Sequence, residues 1–261
     1  MKAGIFGLIL VMAAAPAAAQ SPFDGTFKID VSTAQLPTKP WNRSLKDGVY
    51  SCSCDTPLSV KADGQWHKVQ GQPYVDEIKV AIIGEDGLQI EGRKGGKPVY
   101  STIDRVSPDG MFNNWSNTGF SGANGQPVKS SGRDKRVGPV PPKGIHRING
   151  GWITLTDGMK VEDAGLTITL RSIPDGMAVT LGTGESYEAR FGGPAVPVRN
   201  DTSGLMASLR RISATSFEET LSRASKPIAV NTFVVAPDMS LGVTSVNPVQ
   251  KTTTRFKAIR M

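Results

Sequence analysis

Apolar and polar residues alternate along most of this chain. Leu166, Ile168 and Leu170 are separated by threonines, and Ile78, Val80 and Ile82 by Lys79 and Ala81. Phe27, Ile29 and Val31 follow the same rule, as do Met177, Val179 and Leu181. A repeat of two buries one face of a strand and wets the other. Asp47-Gly48, Asp63-Gly64, Asp86-Gly87, Asn124-Gly125, Asn149-Gly150 and Asp175-Gly176 interrupt the runs and supply the positive φ angles of tight hairpins. Short strands joined by such turns predict an antiparallel meander. Strands are expected to begin near Thr26, Val49, Leu58, Trp66, Glu77, Leu88, Val99, Phe112 and Val128. A second set is expected near Trp152, Leu166, Met177, Ser186, Leu205, Ser216, Ile228, Leu241 and Thr253. Residues 203–211 admit a helical reading, but their match to residues 74–82 assigns them to a strand.

That match belongs to a longer correspondence. Leu58-Ser59-Val60 lies over Tyr187-Glu188-Ala189, Lys97-Pro98-Val99 over Lys226-Pro227-Ile228, and Val106-Ser107-Pro108-Asp109 over Val235-Ala236-Pro237-Asp238, always at the same offset. An offset of about half the chain implies two similar modules. Roughly eight to ten strands in each suit a small up-and-down barrel, which protects its strand edges by closing. The expected fold is all-β, with two antiparallel meander modules in tandem; one merged barrel or sandwich is the alternative. The expected boundaries are a signal peptide over 1–19, a first module over 20–137, a Pro/Gly-rich basic linker over 138–147 and a second module over 148–261.

The signal peptide is read from Lys2, an apolar run over residues 5–15, and Ala17-Ala18-Ala19 before the cleavage point. The run is too short to cross about 30 Å of hydrocarbon. The expected location is therefore the periplasm or the exterior, with no transmembrane span in the mature chain. A formal charge of +7 favours contact with anionic envelope polymers. Arg133, Lys135, Arg136, Lys143 and Arg147 concentrate that charge, either as an anion site or as a solvated linker. Nucleic-acid binding is not expected, because no aromatic–basic platform is present.

Little in the chain points to catalysis. It has no Gly-x-Ser-x-Gly elbow, no His-Glu-x-x-His and no phosphate-cradling loop. No catalytic residue, metal ligand or cofactor is assigned. His67 and His146 read as loop or strand-edge residues. Glu218-Glu219 and Asp76-Glu77 read as solvated edges, since neighbours in a strand face opposite sides. Cys52 and Cys54 are the only cysteines. Export favours a disulfide between them. Cα atoms two apart in a regular strand lie about 6.5–7 Å from each other, so a bridge needs the strand to end there, as Asp55-Thr56-Pro57 suggests. A metal or redox site and two free thiols remain open as alternatives. Trp41, Trp66, Trp115 and Trp152 are the candidates for lining a ligand cavity, or else for filling a core.

Several segments resemble a group of exported bacterial proteins with lipocalin-like or fatty-acid-binding-like β-barrels. The resemblance is carried by Phe23-Asp24-Gly25-Thr26-Phe27-Lys28-Ile29-Asp30, Ser32-Thr33-Ala34-Gln35-Leu36-Pro37, Leu45-Lys46-Asp47-Gly48-Val49-Tyr50-Ser51-Cys52-Ser53-Cys54, Val60-Lys61-Ala62-Asp63-Gly64 and Val106-Ser107-Pro108-Asp109-Gly110. The second half matches more loosely, through Gly150-Gly151-Trp152 and residues 233–238. In such barrels a Gly-x-aromatic near the start of the first strand helps to close the floor, and Gly25-Thr26-Phe27 and Gly150-Gly151-Trp152 fit that pattern. The resemblance implies a barrel and an apolar or amphipathic ligand, and brings no catalytic residues. The expected function is non-enzymatic ligand binding. A surface module that contacts the envelope and a cysteine-based metal or redox protein are the alternatives.

Overall fold

The computed structural model describes residues 21–54, 56–120, 122 and 125–261. The expected signal peptide lies outside the described residues, as does Asp55. The chain runs through β1 (Gly25–Gln35), β2 (Trp41–Lys46), β3 (Val49–Cys52), β4 (Leu58–Lys61), β5 (Trp66–Lys68), β6 (Glu77–Ile83) and β7 (Gly87–Lys94). It continues through β8 (Lys97–Val106), β9 (Phe112–Gly119), β10 (Val128–Val137) and β11 (Gly150–Val161). A 3-10 turn over Asp163–Gly165 then leads to β12 (Thr167–Ile173), β13 (Gly176–Leu181), β14 (Ser186–Arg190), β15 (Val196–Pro197) and β16 (Met206–Arg211). The last strands are β17 (Ser216–Arg223), β18 (Lys226–Val235), β19 (Leu241–Asn247) and β20 (Thr252–Arg260). Among the described residues no helix is long and apolar enough to cross a membrane.

The strands form two ten-stranded antiparallel sheets, each a nearly closed barrel. Their orders are β4-β3-β2-β11-β10-β9-β8-β7-β6-β5 and β14-β13-β12-β1-β20-β19-β18-β17-β16-β15. In each barrel the open seam falls between two strands that follow one another in the chain. Cross-seam bonds narrow it: Gly64 N–H to the Val80 carbonyl (2.9 Å) in the first barrel, Gly192 N–H to the Leu209 carbonyl (2.8 Å) in the second. The two meanders keep the same register along the chain. Glu77, Gly87, Lys97 and Phe112 begin β6 to β9, and Met206, Ser216, Lys226 and Leu241 begin β16 to β19, each at the offset that relates the two halves of the sequence.

The expected module boundaries need correction. Residues 138–147 are not a linker between barrels. They lie in the hairpin connection between β10 and β11, which pair with each other from Ser130↔Val161 to Val137↔Gly151. The first barrel is therefore β2 to β11, continuous from Trp41 to Val161. Strand β1 leaves it altogether and fills the gap between β12 and β20. Thus β1 and β11 hold equivalent places, each between the first and last strands of a meander, but β1 completes the barrel farther from it in sequence. The chain crosses between barrels at residues 36–40 and again at 162–166.

Each floor uses the same device. Phe27 and Trp152 are fully buried, and an arginine from the neighbouring strand stacks on each ring: Arg260 on Phe27 at 4.9 Å, Arg136 on Trp152 at 4.2 Å. Arg136 donates to the carbonyls of Gly110 (2.5 Å), Asn149 (2.6 Å) and Arg147. Gly25 and Gly150 adopt φ of +149° and +132°, where a side chain is strained. A Cβ on Gly150 would lie 2.5 Å from Arg136 Nη1, and one on Gly25 2.6 Å from Arg260 Nη1. The arginine cannot swing aside without abandoning buried carbonyls. Gly150→Ala should therefore cost about 1–3 kcal/mol, measured as a lowered midpoint in urea with an unchanged slope.

Candidate functional site

The two barrel interiors have opposite chemistry at matched positions. Ile90, Thr102 and Asp104 in the first become Glu219, Asn231 and Phe233 in the second, at the constant offset of the repeat.

In the first barrel a buried polar network crosses the bore. Arg43 on β2 reaches Asp104 on β8 through two hydrogen bonds of 2.9 and 2.5 Å, and its Nε donates to the Tyr50 hydroxyl at 3.0 Å. Asn113 Nδ2 links Asp104 (2.7 Å) to Asp134 (3.1 Å), and the Thr154 hydroxyl donates to Asp134 at 2.8 Å. Arg43, Asp104, Asn113 and Asp134 are all buried. Burial works against the Arg43 charge, but Tyr50 and Asp104 outweigh it and hold the guanidinium above its ordinary range. Burial pushes the Asp134 carboxyl up, against the hydrogen bonds from Thr154 and Asn113 and the charge of Arg43. The Tyr100 hydroxyl is pushed up to about 12, mainly by burial. A cavity of about 310 Å³ lies over this network, walled by Trp41, Leu58, Ile90, Tyr100 and Trp115.

The second barrel is apolar at its closed end. Phe217 stacks on Phe233 with centroids 4.7 Å apart, and Phe23 meets Phe217 edge-on at 5.0 Å. Such pairs add about 0.5–1.5 kcal/mol to plain area burial. Above them a cavity of about 380 Å³ is walled by Ile168, Val179, Leu221, Val243 and Phe256. Half-exposed Leu181 and Tyr74 mark its open end. One buried polar cluster interrupts the wall, and Thr183, Glu185, Ser186, Asp201 and Ser245 add less buried polar groups to the lining. Glu219 faces Asn231 across β17 and β18 and accepts from its Nδ2 at 2.5 Å, and the Tyr187 hydroxyl donates to the other carboxylate oxygen. Burial raises the Glu219 carboxyl above its ordinary value, opposed by those two hydrogen bonds. Tyr187 is raised well above its own, by burial and then by the Glu219 charge.

The four tryptophans separate. Trp41 and Trp115 meet at the first cavity, where Gly132 makes room for the Trp115 ring. Trp152 is core, its Nε1 bonded to the Ile148 carbonyl at 2.9 Å. Trp66 sits on edge strand β5 under Arg93 (4.2 Å) and Lys79 (5.2 Å) and lines neither cavity. Glu219 corrects the expectation for Glu218-Glu219. The two do face opposite ways, yet only Glu218 is at the surface, paired with Arg210. Of the basic run, Arg136 is buried, Arg133 pairs with Asp157 and Arg147 donates to the Pro108 carbonyl at 2.7 Å, which leaves Lys135 and Lys143 as its exposed charges.

Cys52 and Cys54 are joined as a disulfide with Cα atoms 5.3 Å apart, closer than a regular strand allows, because β3 ends at Cys52. Cys54 borders both the first cavity and the clefts between the barrels. Among the described residues no three histidine, cysteine, aspartate or glutamate side chains are grouped as metal ligands would be. His67 bonds Asp63 at 2.8 Å, and burial holds the His146 imidazole below its ordinary value.

Compared with known proteins, the chain matches no family model and no curated sequence.

Proposed function

We propose that the protein is an exported, non-enzymatic carrier that holds a small, largely apolar molecule inside its second barrel. One observation carries this reading: an apolar chamber of about 380 Å³ with a single buried polar cluster in its wall. Small-molecule sites have this form, roughly 300–1,000 Å³ of apolar surface with a few polar groups that fix orientation. Burial of ligand hydrocarbon against Leu221, Val243 and Phe256 would contribute about 25 cal/mol per Å². The likeness to lipocalin-like barrels supports the same reading. So does the matched register of the two meanders, which we take as one duplicated unit whose copies diverged inside. The first copy carries a charged, braced network beneath its cavity, and the second leaves its cavity floor apolar.

The experiment is native mass spectrometry of protein isolated without detergent from its own cells. A retained adduct is expected, and Val243→Trp, which fills the chamber, should abolish it. The same variant should weaken uptake of an apolar fluorophore by about tenfold or more, or ~1.4 kcal/mol. A well-folded Val243→Trp protein that binds the fluorophore as the parent does would sink the reading.

A further inference from the structure

The chamber of the second barrel is short of positive charge. Glu219 is buried, and both groups that bond it, Tyr187 and Asn231, are neutral. The other charged lining groups are Glu185 and Asp201, and among the described residues no lysine, arginine or histidine lines the chamber. Arg223, four residues along β17, is engaged with Ser203 (2.8 Å) and the Tyr74 hydroxyl (3.0 Å) and lines a cleft between the barrels. This inverts the balance of the whole chain, which is +7. The first barrel shows what is missing. There Arg43, opposite Gly150, supplies a cation to the buried carboxylates; Leu170 holds the corresponding place opposite Gly25.

We infer that the chamber takes an apolar primary amine, with its ammonium on Glu219 and its hydrocarbon chain against Leu221, Val243 and Phe256. This rests on the reading of the chamber as a ligand site. An ammonium offers three donors and no acceptor. Each Glu219 carboxylate oxygen accepts one hydrogen bond, from Tyr187 or from Asn231, and keeps further lone pairs for an ammonium, with the Tyr187 hydroxyl oxygen beside it as another acceptor. A fatty carboxylate would bring a second negative charge beside the first. A neutral alcohol would satisfy one hydrogen bond and leave the buried charge without a counter-ion. The raised position of the Glu219 carboxyl fits an acid whose counter-ion is supplied from outside the chain.

The test is calorimetric titration of the full, detergent-free protein with decylamine, N-decylacetamide, decanol and decanoate. Decylamine should bind at least about tenfold more tightly than the neutral compounds, as expected for a desolvated charge pair. Glu219→Gln should bring decylamine down to the level of the neutral compounds. Glu218→Gln, on the outer face, should leave all of them as in the parent. Decanoate binding as tightly as decylamine would overturn the inference, as would undiminished amine binding by Glu219→Gln. Binding of the neutral compounds would then still uphold the chamber as an apolar site. Failure of every compound to bind would remove both readings. If Glu219→Gln does not fold, the comparison of amine with amide on the parent protein decides alone.

Discussion

A fragment of residues 148–261 should fail to fold, whereas residues 37–163 should fold alone. The second fragment contains all ten strands of the first barrel without interruption. The first fragment lacks β1, which pairs with β12 from Gly25↔Leu170 to Lys28↔Thr167 and with β20 from Phe27↔Arg260 onward. Without it two inner strands become bare edges, and Phe23 and Phe27, both essentially fully buried, leave the core. Those two side chains alone are worth about 1.5–3 kcal/mol each, against a total margin of about 5–15 kcal/mol for a domain. Dispersed amide resonances and a cooperative urea transition are expected only for residues 37–163. Adding a synthetic peptide of residues 21–37 to residues 148–261 should restore both, because the missing strand is then supplied in trans. Independent, cooperative folding of 148–261 would show that β1 is dispensable and that the barrels are divided in another way.

Arg43→Met should destabilise the first barrel by about 3–5 kcal/mol, the usual result of removing one partner of a buried pair. Asp104 would lose both of its guanidinium bonds, and Tyr50 its donor. Asp134 would lose the one positive charge that opposes its upward shift. The sign of the pH effect separates lost charge from lost packing. A carboxyl raised in the folded state binds its proton more tightly there than in the unfolded chain. Its penalty is therefore absent below the unfolded value, about 3.9, and grows as pH rises from there to the folded value. The variant should thus come closest to the parent in acid and fall away towards neutrality. Adding Asp104→Leu to Arg43→Met should recover part of the loss, because an apolar replacement of both partners leaves fewer orphaned charges. A loss from Arg43→Met that is the same at every pH would assign the arginine's role to packing.

The strands that were legible in the sequence are those whose inward positions are apolar. Ile78 and Val80, Leu88 and Ile90, and Phe233 and Val235 point to one side at a period of two, and each pair is buried. Strand β2 escapes the pattern for the complementary reason. Its inward positions are Trp41, Arg43 and Leu45, and an arginine in the middle breaks the apolar alternation. Two-residue β15 is too short to show any period. Glu219 reads as surface in the sequence because it stands beside Glu218. Its place in the second module matches that of buried Ile90 in the first, and this correspondence is the signal that marks it as inward.

The sequence by itself determined the local character of this protein: strands, the turns between them, and two stretches of matched length and register. Backbone propensity and side-chain alternation act over a few residues and are written where they act. Only the tertiary structure decided that β1 completes the distant barrel, that β11 closes the near one, and that Arg43 and Glu219 lie inside. A strand's period states which side chains share a face, but not which strand comes to lie beside it or which face is enclosed. Those choices depend on pairings between residues far apart in the chain, such as Gly25 with Leu170.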